Sequence, residues 1–262
     1  STLVWAEALD GGDPMAEVPN RDRIMLWESP FRDTPQQLLQ TNMRFSRILW
    51  GSGEQEFLFT HDRIRQWTRT WVFTVRNGTL LENKLLWNRD QGDAYGDPGN
   101  LVGHYSARGY FLVDEHQGRV FLRGEGSSPE GDHPFLDQLE IASGQTRRIY
   151  QNSGEAYEEI MDILDEAGTE IISRYETVSS PPGYYLLNTS SGERRLLAGF
   201  KEPIPELRGV RKQIIKYLRE DGVELSGTLY LPPSWKSGQR LPLMMWAYPR
   251  EFNSARIAAQ VR

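Results

Sequence analysis

The sequence contains no cysteine. That absence excludes disulfides, zinc–thiolate sites and thiol nucleophiles together. It leaves the compartment open: a soluble protein of the cytoplasm or the periplasm is expected. Histidine is scarce, limited to His61, His104, His116 and His133. No Gly-x-Ser-x-Gly elbow occurs anywhere. No apolar run reaches about 18 residues, so no helical membrane span is expected. No charged-then-apolar leader follows Ser1, so a signal peptide is expected to have been removed or never to have existed. Positive charge is not in excess. The net charge of −6 and pI near 5.4 argue against a nucleic-acid partner.

What remains is a chain of 262 residues, enough for one large or two ordinary domains. Hydrophobic residues make up 38% and charged residues 25%, a balance that can bury a core. β-rich runs recur along it, among them "DRIMLWES", "EFLFTHD", "RTWVFTV", "GYFLVDE", "RVFLRG", "EIISRYE" and "GYYLLNT". Turn signals separate them: Asp10-Gly11-Gly12, Gly51-Ser52-Gly53, Asn77-Gly78, Ser143-Gly144, Pro181-Pro182-Gly183 and Ser191-Gly192. Short strands at regular spacing indicate a sandwich, barrel or propeller. "GEAYEEIMDILDEAG" has helical overtones but reads as a blade edge with a turn at Gly168.

An internal repeat favours the propeller. "LEIASGQTRRIY" (Leu139 to Tyr150) aligns with "LLNTSSGERRLL" (Leu186 to Leu197). Each is a strand, a Ser-Gly turn, an Arg pair and two apolar residues. The glycines fall at 144 and 192, and a period near 45 with about four strands per unit is that of a propeller blade. "RILWGSGEQEFLFTHD…RTWVFTVRNGTLLENKLLW" supplies four strands for one blade. "LVWAEALDGG…RDRIMLWESP…QQLLQT" supplies only three.

The closing segment changes character. "KQIIKYLRE" and "VELSGTLYLP" flank Asp221-Gly222, which predicts a hairpin with a two-residue turn. Pro232-Pro233 ends its second strand, because proline cannot donate to a ladder. "LPLMMWAYP" is then a continuous apolar run, expected to be a strand covered on both faces. The rest of such a sheet is absent, so the chain reads as a fragment.

The motifs "LVWAEALDGGDP", "QWTRTWV", "YGDPGN", "SPEGDHPFLD", "DGVELSGTLYLPP" and "WAYPREF", taken in order, resemble the prolyl-oligopeptidase family of serine peptidases, and within it the glutamyl endopeptidase branch. The resemblance covers nearly the whole chain. It implies a mainly β fold: a partial β-propeller over residues 1–205, then the N-terminal strands of a truncated α/β-hydrolase domain over residues 206–262. It also implies a role for Tyr248 in "WAYPREF", as the loop tyrosine whose hydroxyl helps bind an oxyanion. Pro249-Arg250-Glu251 follows where many relatives carry glycines, which departs from the family pattern.

A hydrolase triad runs Ser, Asp, His, and all four histidines lie upstream of Tyr248, so this chain alone is expected to be inactive. "RIRQWTRTW" interleaves Arg63, Arg65 and Arg69 with Trp67 and Trp71. Arg65 and Arg69 are the candidate substrate-binding residues, since a guanidinium fork suits a substrate carboxylate. "GDAYGDPGN" offers Asp93, Asp97 and Asn100 with loose calcium-like spacing but lacks the full loop pattern, so no metal and no cofactor are expected. Two function classes remain: the substrate-gating propeller portion of a serine peptidase, or a stand-alone propeller-like binding module. For the first, the expected partners are a peptide substrate and the remainder of the peptidase domain. Open strand edges are expected to drive self-association.

Overall fold

The computed structural model describes residues 2–248 and 250–261. Its first sheet contains β1 (Thr2–Ala8), β2 (Asp22–Glu28) and β3 (Gln36–Thr41) in that order, all antiparallel. The three-strand reading of this stretch holds. In β2 the alternation is plain: Asp22, Ile24 and Leu26 turn inward, and Arg23 and Met25 less so.

The second sheet is the four-stranded meander expected from sequence. It runs through β4 (Arg44–Gly51), β5 (Glu56–Asp62), β6 (Trp67–Arg76) and β7 (Thr79–Asp90). Asn77 and Gly78 both adopt positive φ, 50° and 73°, between the paired Arg76 and Thr79. That is a two-residue turn whose twist matches the flanking strands. Four short strands follow: β8 (Asn100–Leu101), β9 (Gly103–Tyr105), β10 (Phe111–Val113) and β11 (Glu115–His116). The β9–β10 hairpin extends the second sheet, with β10 parallel to β4.

A third sheet has the order β11-β12-β15-β16, built with β12 (Arg119–Gly124), β15 (Phe135–Glu140) and β16 (Gln145–Gln151). A small ribbon of β13 (Ser127–Ser128) and β14 (Gly131–Asp132) interrupts it in sequence. The fourth sheet is again a four-stranded meander: β17 (Tyr157–Ile163), β18 (Glu170–Thr177), β19 (Ser180–Asn188) and β20 (Arg194–Gly199). The segment with helical overtones is thus a strand, β17, and Gly168 closes the turn after it at φ 71°.

The repeat seen in sequence is a repeated turn. Gly144 and Gly192 adopt φ 74° and 75°, and each donates its N–H to the carbonyl four residues back, Glu140 and Asn188, at 2.8 Å. Both turns join the third and fourth strands of their meanders. The left-handed backbone is where glycine is favoured, because it lacks the Cβ that clashes there.

The hairpin of β21 (Arg211–Leu218) and β22 (Glu224–Leu231) forms as expected. Its turn is wider than the two residues read from Asp221-Gly222. Arg219 N–H reaches Val223 O at 2.9 Å, and Gly222 sits at φ 82° within a three-residue loop. The apolar run after it corrects a second expectation. Residues 241–248 form no strand, because no edge among the described residues pairs with them. Met244 and Trp246 are 94% and 88% exposed. A short helix, α1 (Ala255–Ala258), closes the described chain.

The backbone divides into two compact units. One comprises residues 1–91, 101–120 and 139–145; the other comprises 92–100, 121–138 and 146–262. In the first, Ile24, Leu38 and Leu39 pack with Leu58 and Phe73, joining the first and second sheets. In the second, Phe121, Leu136, Ile160, Ile171 and Leu187 are buried. Arg123 ties β12 to β17 by donating to the carbonyls of Ile160 and Met161.

Candidate functional site

One end of the second sheet gathers arginines. Three segments meet there: the β3–β4 link at Asn42-Met43, the β5–β6 turn and the last residues of β7. The first two border a cleft of about 200 Å³ lined by Pro14, Arg21, Met43, Arg44, His61 and Arg63, among others.

Two of these arginines are already neutralised. Arg21 donates to Asp10 at 2.8 Å, and Arg44 bridges Asp10 and Asp22. Asp22 also accepts the Phe45 N–H at 2.5 Å. Burial alone would raise the Asp10 carboxyl. Hydrogen bonds from Arg44, the Gly12 N–H and Arg21 outweigh it and hold the group below the usual carboxylate range. This cluster pins the strand ends β1, β2 and β4 together.

The two arginines singled out from sequence differ from each other. Arg65 lies in the turn, its side chain 81% exposed, with Asp62 at 3.8 Å. Arg69 is on β6, opposite Asn88 in the ladder. Its Nε donates to Asn88 Oδ1 at 2.9 Å and its Nη1 donates to Asn42 Oδ1 at 3.0 Å. The Trp67 indole, two residues along the same strand face, donates to the same Asn88 oxygen at 2.6 Å. Two carboxamides therefore orient the Arg69 guanidinium without cancelling its charge. A guanidinium held by neutral acceptors keeps its full positive charge.

Tyr248 lies in the exposed segment after the hairpin, 76% exposed. His61 lines the cleft. His104 Nδ1 pairs with Asp114 Oδ1 at 2.5 Å on the β9–β10 hairpin. The loop with calcium-like spacing uses its carboxylates on protein donors: Asp93 takes Gln260 and Arg256, and Asp97 takes the Gly99 N–H. Among the described residues no cluster of three or more metal-ligating side chains forms.

Sequence reasoning missed the most buried charge. Glu158, on β17, is 0% exposed. It accepts from Tyr150 Oη at 2.5 Å, Ser173 Oγ at 2.7 Å and Arg194 Nε at 3.0 Å. Burial would raise its pKa, yet the Arg194, Tyr150 and Ser173 hydrogen bonds hold it below the usual range. Burial, and then the same carboxylate, push the Tyr150 phenol up. This network joins β16, β17, β18 and β20 and has the character of a structural lock. The Arg pair of the repeat, shared by both hairpins, was the signal that could have found it.

Four-stranded antiparallel meanders, two of them with a Ser-Gly turn between their third and fourth strands, are the units of propeller blades, and the fold is mainly β and propeller-like, followed by a hairpin. No protein-family model matches the chain. The chain is similar to the probable chloroplastic glutamyl endopeptidase of Oryza sativa subsp. japonica, at 31% identity over 278 aligned residues, covering 99% of this chain and 30% of that protein. It is 32% identical over 282 residues to the probable chloroplastic glutamyl endopeptidase of Arabidopsis thaliana, covering 100% of this chain and 29% of that protein. Over its full length, then, the chain is similar to these glutamyl endopeptidases, as its motifs indicated. It spans about 30% of the length of the curated relatives it matches. Solved structures similar to it include a puromycin hydrolase, 16% identical with TM-score 0.45 over 92% of this chain and 42% of that one. Oligopeptidase B from Leishmania major is 8% identical with TM-score 0.48, over 92% and 38% of the two chains.

Proposed function

We propose that this chain is the substrate-gating propeller portion, with the opening strands of the peptidase domain, of a Glu-preferring serine peptidase of the prolyl-oligopeptidase family. Residues 1–205 form the propeller portion and residues 206–262 the start of the catalytic domain. The relatives named as glutamyl endopeptidases supply the reaction class. The observation that carries the specificity is Arg69, oriented by Asn42 and Asn88 and left uncancelled. It receives the substrate carboxylate, and Trp67 beside it offers an apolar wall. Arg65, at the exposed rim, attracts the acidic chain. Tyr248 donates its hydroxyl to the oxyanion of the tetrahedral intermediate, which a positioned phenol stabilises in a water-poor site. The nucleophile, its base and its orienting carboxylate lie in the remainder of the peptidase.

The test uses the intact protein with paired peptides that differ only in Glu against Gln at the cleavage position. Arg69→Ala is expected to lower kcat/KM for the Glu peptide by about 100-fold, because losing a desolvated charged pair costs a few kcal/mol. The Gln peptide is expected to change by no more than a few-fold. Equal losses on both peptides would sink the carboxylate assignment.

A further inference from the structure

Residues 240–248 are exposed and make no strand ladder, and the chain is fastened on either side of them. Upstream, Arg211 Nη2 on β21 donates to Trp235 O at 2.8 Å, and its guanidinium lies 4.9 Å from the Trp235 ring centre. The Trp235 indole in turn donates to Gln239 O at 3.0 Å. Downstream, the fastening falls on the loop between β7 and β8. Asp93 Oδ1 accepts from Gln260 Nε2 at 2.6 Å, while Gln260 Oε1 accepts the Ala94 N–H at 2.8 Å. Asp93 Oδ2 accepts from Arg256 Nη2 at 3.2 Å, and Tyr95 Oη accepts the Val261 N–H at 2.9 Å. Ile257, Gln260 and Val261 are buried by this docking.

A helix of one turn does not persist alone in water, because nucleation is unfavourable and few bonds offset it. Helix α1 has a Ser254 cap, with Ile257 N–H donating to Ser254 Oγ at 3.3 Å, and it lies against β22 as well as being bonded to the Asp93 loop. The Gln260 carboxamide reads that loop twice, as donor to a side chain and acceptor from the backbone. Asp93 is itself held in place by the Gly96 N–H at 3.2 Å.

We propose that Asp93 is a positioning residue: through Gln260 and Arg256 it docks α1 and so fixes the far end of the strap that carries Tyr248. Ser254 lies six residues beyond Tyr248, a span of at most about 20 Å of extended chain. Docked, the strap is tethered at both ends. Undocked from the Asp93 loop, the strap loses one of its attachments and Tyr248 has a larger volume to explore. The effect on catalysis rests on the oxyanion role proposed above for Tyr248; the docking itself does not.

Two measurements separate these. Hydrogen exchange of this chain reads the docking directly. Asp93→Ala and Gln260→Glu are each expected to speed amide exchange across residues 257–261 by roughly tenfold or more, because each removes charge-assisted bonds or sets two carboxylates together. The exchanged pair Asp93→Asn with Gln260→Glu restores a donor facing an acceptor, and is expected to recover protection. Amides of β4–β7 are expected to stay unchanged, which shows that the variants fold. Unchanged exchange at 257–261 in Asp93→Ala would overturn the proposal. In the intact peptidase, kcat is expected to fall in Asp93→Ala with KM held, and to recover in the exchanged pair. Faster exchange with an unaltered kcat would uphold the docking and remove Tyr248 from the chemistry.

Discussion

Arg69 shares the oxygen of Asn88, at 2.9 Å, with the indole of Trp67, and so its guanidinium is fixed by a neutral acceptor directly across the β6–β7 ladder. Asn88→Asp keeps the acceptor and the shape and adds a negative charge. The intact protein is expected to lose discrimination between Glu and Gln peptides, mostly through the Glu peptide, by about tenfold or more. Paired kcat/KM values check this. A variant as selective as the parent would mean that Arg69 meets no substrate carboxylate.

The Glu158 lock predicts a large stability effect. Glu158→Gln leaves the Arg194 charge without its carboxylate and disturbs Tyr150 and Ser173. Breaking one partner of a buried pair costs on the order of 3 kcal/mol. Urea unfolding, followed by tryptophan fluorescence, measures it. The same lock sets a pH window. The Glu158 carboxyl is held below its unfolded value of about 4.5, so its contribution is complete above that pH. It is lost as pH falls through the lower folded value. The gap in stability between parent and Glu158→Gln is expected to be full at pH 7 and to shrink in strong acid. A gap that is constant with pH would place the effect in packing instead of charge.

The repeated turns give a matched pair. At Gly192 a Cβ would meet nothing within 4 Å, and at Gly144 only the far end of Lys84, at 3.8 Å. Replacement by Ala therefore meets backbone strain alone. Each change is expected to cost about 1 kcal/mol, and the two costs to add, since the turns share no partner. Thermal unfolding of both single variants and the double variant tests it. A cost at one glycine only would mean that the likeness of the two turns is superficial.

The exposed strap predicts association. Leu243, Met244, Met245 and Trp246 stand together in solvent, an apolar patch larger than scattered surface side chains present. The isolated chain is expected to self-associate at low micromolar concentration. Met244→Glu with Trp246→Glu is expected to shift it toward monomer. Sedimentation velocity reads both; a clean monomer of the parent chain would count against the idea.

Much of this architecture was legible because its punctuation is strong. Asn77-Gly78, Ser143-Gly144 and Ser191-Gly192 each mark a turn that the structure contains. β17 was harder. Its inward positions are Glu158 and Ile160, so a carboxylate occupies a place where an apolar residue would have made the alternation plain. The strands of two or three residues, such as β11 and β13, carry too few positions to show any period. The run Leu241–Tyr248 failed for the opposite reason. Its composition says buried strand, but a strand exists only with a neighbour to pair with. At the site, the arginine-rich stretch was visible, and the difference between Arg65 and Arg69 was not. That difference rests on Asn88, which meets Arg69 across the β6–β7 ladder, and on Asn42, which reaches it from the β3–β4 link. The clamp on Asp93 was hidden likewise: its loop resembled a cation site because the partners that occupy its carboxylate come from the far end of the chain.

The link between β3 and β4 is two residues long, Asn42 and Met43, and it is all that joins the first sheet to the second along the chain. Asn42 is also one of the two amides that hold Arg69. The residue that links the two sheets along the chain is therefore also a hydrogen-bond partner of Arg69, at 3.0 Å, so the place of this one side chain depends on both sheets.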